Sequence, residues 1–225
     1  MSYFEAVNLY KKFEHLTLEF SMSAEKGTMT SLLGSSGSGK STVLKIIAGF
    51  TPNDRKDYSI KLDSKSIEKA VPQKRNLGMV FQSPALFTNM NVIENISYGL
   101  RCSGIKKKAA QEEAAEFMKK FNLSGLEYHR AETLSGGEAQ RVCLARTLIV
   151  KPKLVLFDEP LSALDTPLRK KLSEDIAGLQ KDLGFTGILV THDLEEAKKM
   201  SSKIICLEKG KITFSGNACD FEGQA

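Results

Sequence analysis

A glycine-rich segment at residues 34–41 constrains this chain more than any other part of its sequence. Its letters, GSSGSGKS, match the phosphate-binding loop pattern G-x-x-x-x-G-K-[ST], and they lie between an apolar run at residues 29–33 and a helix-like stretch at residues 42–48. Glycines allow the backbone to turn tightly with its N–H groups pointing inward, and a helix that starts at the loop adds the positive end of its dipole. The segment therefore predicts a site for the phosphates of a nucleoside triphosphate.

Length and charge are those of an ordinary globular domain. The chain has 225 residues, of which 41% are hydrophobic and 26% are charged, and its net charge is +5. This length can bury a full core, so we expect one α/β domain. Basic residues are scattered apart from a run at residues 106–108, which a solvated helix start explains better than a nucleic-acid patch. We expect no nucleic-acid partner.

The cysteines and the first residues of the chain indicate the cell compartment in which the protein is expected to work. Cys102, Cys143, Cys206 and Cys219 include no C-x-x-C pair, so neither a zinc site nor a disulfide framework is predicted, and reduced thiols in the cytoplasm are expected. The first residues lack the basic and apolar regions of a signal peptide, and no run of about 18 apolar residues occurs. Any membrane role is therefore expected to come through a partner.

Apolar runs and helical periodicities alternate along the chain. Strands are predicted at residues 3–9, 16–20, 29–33, 58–62, 77–81, 154–157, 187–190, 204–207 and 212–214. A helical pattern is predicted from residue 83 to about residue 151. Another helix is predicted to have Thr166 as its cap and Pro167 as its first residue, and a third to span residues 193–200. This order predicts a parallel-sheet core with a helical insertion.

Two adjacent carboxylates, Asp158 and Glu159, follow the apolar run at residues 154–157. Ligands of open parallel sheets bind at the carboxyl ends of the strands. An aspartate there can hold Mg²⁺ together with Ser41, and the neighbouring glutamate can accept a proton from an attacking water. Taken alone, the motif is equally well explained as a plain acidic pair between strand and loop.

A second anion site is predicted at residues 135–137. A hydroxyl and two glycines precede a helix whose apolar positions are 142, 145, 148 and 149, so bare N–H groups and a helix N-terminus face one point. One reason for a second phosphate site is that it serves a nucleotide held by another molecule.

Together with Gln82 and His192, these motifs resemble those of the ATP-binding cassette (ABC) ATPases, in the family's order and over residues 3 to about 215. The resemblance implies an α/β fold of the P-loop NTPase (RecA-like) class: a mainly parallel sheet core, an N-terminal antiparallel β subdomain and an inserted α-helical subdomain. It also implies one ABC domain over residues 1–225. Its nucleotide-binding core would be residues 1–82 and 152–225, and its helical signature subdomain residues 83–151.

The resemblance assigns roles to the matching residues. The implied binding set for ATP and Mg²⁺ is Phe13, Gly34, Ser35, Ser36, Gly37, Ser38, Gly39, Lys40, Ser41, Thr42, Gln82, Ser135, Gly136, Gly137, Asp158, Asp165 and His192. Phe13 would stack on adenine, with a place in the core as the alternative. The implied general base is Glu159, with Lys40, Gln82 and His192 as the other catalytic residues. The implied Mg²⁺ site is Ser41, Gln82 and Asp158.

Two departures from the family pattern affect the expectations. Glu138 stands where glutamine is usual and adds a negative charge beside the second anion site, which we expect to be tolerated with an open effect on rate. Residues 53–64 lack the usual glycines, and Ser64 stands where glycine is common. This departure concerns the local turn geometry and not the chemistry.

The resemblance implies the ATP-hydrolysing subunit of a bacterial membrane importer, similar to the thiamine, ferric iron, oxyanion and polyamine importers. The short stretch after the last hairpin favours the compact thiamine-type branch. Implied partners are a second copy of the chain, which meets residues 135–137 and Asp165 in an ATP-bound homodimer, integral-membrane permease subunits docked around residues 82–96, and a separate solute-binding protein. The implied location is the cytoplasmic face of the cell membrane.

Two alternatives are less favoured. A soluble ABC ATPase acting on ribosomes or DNA usually has two cassettes in one chain or a long inserted coiled coil, and neither pattern is present. A monomeric small-molecule kinase leaves the segment at residues 135–137 unexplained.

Overall fold

Two β-sheets organise the protein in the computed structural model, which describes residues 2–223. The strands are β1 (Phe4–Lys12), β2 (Thr17–Ala24), β3 (Met29–Leu33), β4 (Ser59–Leu62), β5 (Lys65–Ser66), β6 (Leu77–Val80), β7 (Leu154–Asp158), β8 (Thr186–Thr191), β9 (Lys203–Glu208) and β10 (Lys211–Asn217). The helices are α1 (Lys40–Ala48), α2 (Val92–Cys102), α3 (Lys107–Lys119), α4 (Gly136–Leu148), α5 (Thr166–Leu183) and α6 (Leu194–Met200). None of the helices between residues 2 and 223 combines the length and hydropathy needed to cross a bilayer.

The larger sheet has the strand order β10-β9-β3-β8-β7-β6. Its pairings are parallel except for the β9–β10 hairpin. Every residue of β3 and β8 is buried, as expected for central parallel strands covered on both faces. The carboxyl ends of β3, β7 and β8 therefore lie side by side at one edge of the sheet. The predicted α/β class with a mainly parallel core is confirmed.

The smaller sheet is antiparallel, with the order β2-β1-β4-β5. Its β4–β5 hairpin turns through Asp63 and Ser64, whose φ angles are +53° and +61°, while Leu62 pairs with Lys65. Two left-handed residues in a two-residue loop define a type I′ turn, which favours glycine. Ser64 therefore adopts the left-handed conformation that a glycine would adopt at lower cost.

The predicted helix beginning at residue 83 is wrong for its first nine residues, because α2 begins only at Val92. Residues 83–91 form an irregular segment held by the buried side chain of Asn95. The amide of Asn95 accepts a hydrogen bond from Phe87 N (2.9 Å) and donates to the carbonyls of Phe87 and Met90. These bonds supply the partners that a helix would otherwise give the backbone.

The predicted cap of α5 is also wrong, by one residue. Asp165 is the N-cap, since its carboxylate accepts a hydrogen bond from Leu168 N at 2.9 Å, and Thr166 is already helical. Pro167 therefore occupies the second helical position. The division of the chain into core and signature subdomain stays a prediction.

Candidate functional site

The phosphate-loop motif joins β3 to α1, in the predicted strand–loop–helix order. Gly37 and Gly39 have φ angles of +79° and +105°, which side-chain-bearing residues rarely adopt. A Cβ on Gly34 would lie 2.2 Å from the carbonyl oxygen of Leu207, so only glycine fits against β9. The glycines are thus required both by the turn and by the close approach of the neighbouring strand.

Lys40, the first residue of α1, is 4% exposed and turns its side chain back over the loop. Its Nζ donates to the carbonyl oxygens of Gly34 (2.7 Å) and Ser35 (2.8 Å). Burial lowers the pKa of Lys40, and the nearby carboxylates of Glu159 and Asp158 oppose this shift. An ammonium group has three N–H donors, so one remains for an anion on the loop.

The next residue, Ser41, reaches the acidic pair across the sheet edge. Its Oγ donates to Oδ1 of Asp158 at 2.7 Å, although 117 residues separate the two. Asp158 is the last residue of β7, as the position of the apolar run predicted. The contact gathers a hydroxyl and a carboxylate, the oxygen donors that small divalent cations prefer.

Glu159 and His192 form the second polar pair of the site. His192 Nδ1 lies 3.3 Å from Glu159 Oε2, and the histidine side chain is 53% exposed. Glu159 has a φ angle of +47°, which strains a residue with a side chain. This backbone conformation is fixed because Glu159 N donates to Val190 O (3.1 Å) and Ser162 Oγ donates to Glu159 O (3.0 Å).

Lys40, Ser41, Asp158 and Glu159 line one cleft of about 450 Å³, whereas His192 lines a separate cavity with Gly34 and Ser35. The residues that line the cleft are Phe13, Leu16, Ser36, Gly37, Gly39, Lys40, Ser41, Thr42, Gln82, Asp158 and Glu159. The ring of Phe13 is exposed on the cleft wall, which excludes the alternative of a core phenylalanine. An aromatic face, a ring of loop N–H groups and a pair of carboxylates in one cleft suit a base, a phosphate chain and a cation.

Ser135, Gly136 and Gly137 do not line this cleft. They form the start of α4, where Ser135 is the N-cap. Ideal Cβ atoms on Gly136 and Gly137 would lie 3.5 Å and 3.1 Å from the side chains of Leu164 and Leu168. The predicted second anion site is therefore packed beside the segment that contains Asp165, and away from the chain's own phosphate loop.

The side chain of Glu138 binds back to Ser135, the residue that caps the start of α4. Its Oε2 accepts hydrogen bonds from Ser135 N (2.8 Å) and Ser135 Oγ (2.6 Å), which completes a capping box. These bonds from Ser135 hold the pKa of Glu138 below its usual range. The carboxylate thus occupies two of the donors that the sequence assigned to a phosphate, the N–H and the hydroxyl of Ser135.

Sequence reasoning missed the residues that support His192. Thr191 Oγ1 donates to Oε2 of the buried Glu196 at 2.6 Å, and Asp193 Oδ1 accepts from Glu196 N at 3.1 Å. Arg169 of α5 lies 3.7 Å from Asp193. The D-x-x-E spacing of Asp193 and Glu196 was the available signal, because it matches a helix N-terminal capping pattern.

A family model described as "ABC transporter" matches residues 18–162 of the chain. Among curated proteins, the chain is similar to the Fe(3+) ions import ATP-binding protein FbpC of Agrobacterium fabrum, with 42% identity over 212 residues, 93% of this chain and 59% of that protein. It is also similar to the spermidine/putrescine import ATP-binding protein PotA of Clostridioides difficile, with 41% identity over 218 residues, 96% of this chain and 62% of that protein. The chain thus spans about three-fifths of the length of these relatives.

Two solved structures share the fold over nearly the whole chain. One is cbiO1 of Clostridium perfringens, part of the ABC transporter complex cbiONQ, with a TM-score of 0.87 and 24% identity over 97% of this chain and 90% of that one. The other is the ADP conformation of MJ1267, an ATP-binding cassette of an ABC transporter, with a TM-score of 0.84 and 26% identity over 96% and 91% of the two chains.

Proposed function

Because this chain belongs to the ABC transporter family, we propose that it binds and hydrolyses ATP and thereby drives a membrane importer of small solutes. The observation that carries the proposal is the contact between Ser41 of the phosphate loop and Asp158 of β7 at 2.7 Å, inside the cleft that also holds Lys40 and Glu159. Similarity to iron and polyamine import subunits supports the transport role.

Mg²⁺ is the cation proposed for this cleft. The hydroxyl of Ser41 and the carboxylate of Asp158 fit it, and the amide of Gln82 is available on the cleft wall. The part of the chain described, residues 2–223, contains no cluster of three acidic, histidine or cysteine side chains that could hold a metal alone. This scarcity fits a cation held by few protein oxygens and by substrate phosphates. When bound, Mg²⁺ neutralises charge on the phosphates.

The chain's own residues would perform the remaining work. Lys40 and the N–H groups of residues 34–42 bind and neutralise the phosphate chain, and Phe13 stacks on adenine. Glu159 accepts a proton from the attacking water, and its strained backbone fixes the direction of the carboxylate. His192, in contact with that carboxylate, orients it toward the γ-phosphate.

Two copies of the chain are proposed to close around ATP. Residues 135–137 lie beside Asp165 and outside the chain's own cleft, and Ser135 and Gly136 are exposed. A nucleotide held by a second copy can therefore reach Ser135 if it displaces the carboxylate of Glu138. Closure with ATP and opening after hydrolysis would give the two-state motion that a transport motor needs.

The proposed membrane partner is a permease that docks on the irregular segment 83–91. Phe87 of this segment and Tyr98 of α2 are each 37% exposed, with ring centroids 4.7 Å apart, and such exposed aromatic pairs suit a protein interface. The chain would then lie at the cytoplasmic face of the cell membrane, with a separate solute-binding protein across it.

Glu159→Gln tests the proposed reaction. The amide keeps the size of the side chain but cannot accept the proton, so we expect ATP binding to persist, turnover to fall by at least about a hundredfold, and ATP-bound dimers to accumulate. Purified variants would be compared by phosphate release and by sedimentation with ATP and Mg²⁺.

Glu112→Gln, the same change on the exposed side of α3, is the control and should leave turnover unchanged. Hydrolysis at the native rate by Glu159→Gln would remove this glutamate from its role. Full activity of the native chain as a monomer at high dilution would remove the two-copy site.

A further inference from the structure

Arg169 connects two loops that both border the proposed site. It lies in the first turn of α5, and its Nη2 donates to the carbonyl oxygen of Leu164 at 2.9 Å. Its Nη1 lies 3.7 Å from Oδ2 of Asp193. Leu164 precedes Asp165 in the segment packed against Gly136, so one guanidinium group joins that segment to the residue that follows His192.

The backbone around His192 is held on both sides. On the far side, Glu196 is 7% exposed and accepts the hydroxyl hydrogen bond of Thr191 at 2.6 Å. Asp193 N in turn donates to Thr191 Oγ1 at 3.0 Å. On the other side of His192, Asp193 forms an ion pair with Arg169. His192 therefore lies between two residues, Thr191 and Asp193, whose side chains are both held by other groups.

The polar atoms of this network are not arranged for maximum stability. Within residues 2–223, Nε of Arg169 and Oε1 of Glu196 are buried without a hydrogen-bond partner. The ion pair between Arg169 and Asp193 is long, at 3.7 Å, and its side chains are 27% and 31% exposed. Ion pairs of this kind contribute little to the free energy of unfolding. The two unpaired buried atoms destabilise the fold, and the ion pair stabilises it little. This balance points to a functional constraint.

We infer that Arg169 is a positioning residue that links the 160–165 segment to His192, so that the packing of this segment sets the distance between His192 and Glu159. The inference rests on the proposed function for its consequence. When a second copy contacts residues 135–137 and Asp165, the 160–165 segment would shift. Arg169 would transmit that shift to Asp193 and hence to His192. Arg169 itself contacts neither the cleft nor the reacting groups.

The matched variants are Arg169→Gln and Asp193→Asn. Asparagine keeps a side-chain oxygen to cap α6 but removes the charge that faces Arg169. Misplacing a group by about 1 Å can reduce turnover up to a hundredfold, and we expect each variant to lower kcat by about tenfold while KM for ATP stays within about twofold. Because both changes break one connection, the double variant should be no slower than either single variant.

Lys170→Gln, an exposed neighbour on α5, is the control and should match the native chain. Arg169→Lys keeps the charge but cannot serve Leu164 and Asp193 together, so it should recover part of kcat. Melting temperatures of all variants should lie within about 3 °C of the native value, as expected for a partly exposed pair.

A second readout needs no turnover. The chain has three histidines, so the imidazole proton signals of His192 can be assigned by NMR from their loss in His192→Gln. Arg169→Gln should shift these signals, and Lys170→Gln should not. Unmoved His192 signals, a kcat within twofold of native, additive losses in the double variant, or a kcat loss that follows the melting temperature would each overturn the role of Arg169. Native-rate hydrolysis by Glu159→Gln would instead overturn the proposed function, and the NMR comparison would still decide the role of Arg169.

Discussion

Arg75 gives the most direct test of how the fold supports the phosphate loop. It is 6% exposed, and its guanidinium group donates to the carbonyl oxygens of Ile46 (3.0 Å) and Ile47 (2.6 Å) in the last turn of α1. It also donates to Ala70 O and Glu68 O, each at 2.9 Å. One buried cation thus caps the C-terminus of the helix whose first residues are Lys40 and Ser41.

Replacing Arg75 by methionine keeps most of the apolar stem and removes all four bonds. The two bonds to α1 are buried. The carbonyl of Ile46 keeps a hydrogen bond from Gly49 N (3.1 Å), whereas that of Ile47 would be left unsatisfied, which costs about 1–3 kcal/mol; the lost bond to Ile46 adds about 1 kcal/mol. The other two acceptors are partly exposed and can turn to water. We therefore expect a loss of about 2–4 kcal/mol in the free energy of unfolding. For a chain of this size that corresponds to a fall of about 4–16 °C in melting temperature.

Thermal unfolding followed by circular dichroism measures this loss, with Lys74→Met as the control. Lys74 is the exposed neighbour, so its replacement should change the melting temperature by less than about 2 °C. If Arg75→Met melted within the same margin, then water or a rearranged backbone would be satisfying the α1 carbonyls, and the reasoning from buried hydrogen bonds would be wrong.

Two further changes test the departures from the family pattern. Ser64→Gly should raise the free energy of unfolding by about 1 kcal/mol, because Ser64 has a φ of +61°, and urea unfolding should detect it against a destabilising Ser66→Gly control in β5. Glu138→Gln should lower KM for ATP by about three- to tenfold, because it removes the negative charge that Ser135 now binds. Such a change in KM corresponds to about 1 kcal/mol in binding free energy. An unchanged or higher KM would refute this prediction. Hydrogen bonds from Ser135 lower the pKa of Glu138, so its contribution to stability is present above its unfolded pKa and is lost as the pH falls through the folded one. The stability of Glu138→Gln should therefore vary less with pH in that acidic window.

The parts of the site that could be predicted are those encoded by contiguous residues or by strand ends. Residues 34–41 carry their own geometry, because the glycines and the following helix suffice to form an anion site. The contact between Ser41 and Asp158, which are 117 residues apart, was also predictable, since the carboxyl ends of all parallel strands in a sheet lie at one edge.

The residues that were missed act through side chains whose direction depends on tertiary packing. Asn95 and Arg75 satisfy backbone groups of segments distant in sequence, and no local pattern says which carbonyl a buried amide or guanidinium will reach. Residues 83–91 are irregular because the side chain of Asn95 binds their backbone. The apolar periodicity of these residues carries no information about that contact. Arg169 was missed for the same reason, because its partners lie on two other segments.

The polar groups proposed to receive ATP already have partners within the chain. Lys40 is bound by loop carbonyls, Ser41 by Asp158, and Ser135 by Glu138. Buried polar groups need such partners, so nucleotide binding would exchange internal contacts for new ones, and its free energy is the difference between the two sets.

Ser38 is the exception within the phosphate loop. Its Oγ is buried and has no hydrogen-bond partner among residues 2–223. An unsatisfied buried hydroxyl costs about 1–3 kcal/mol. Ser38 does not line the cleft, and its hydroxyl lies against Gly34, where a Cβ would be 3.0 Å away. A phosphate in the cleft therefore leaves this cost in place, and the gain on binding must come from the loop N–H groups and the third donor of Lys40.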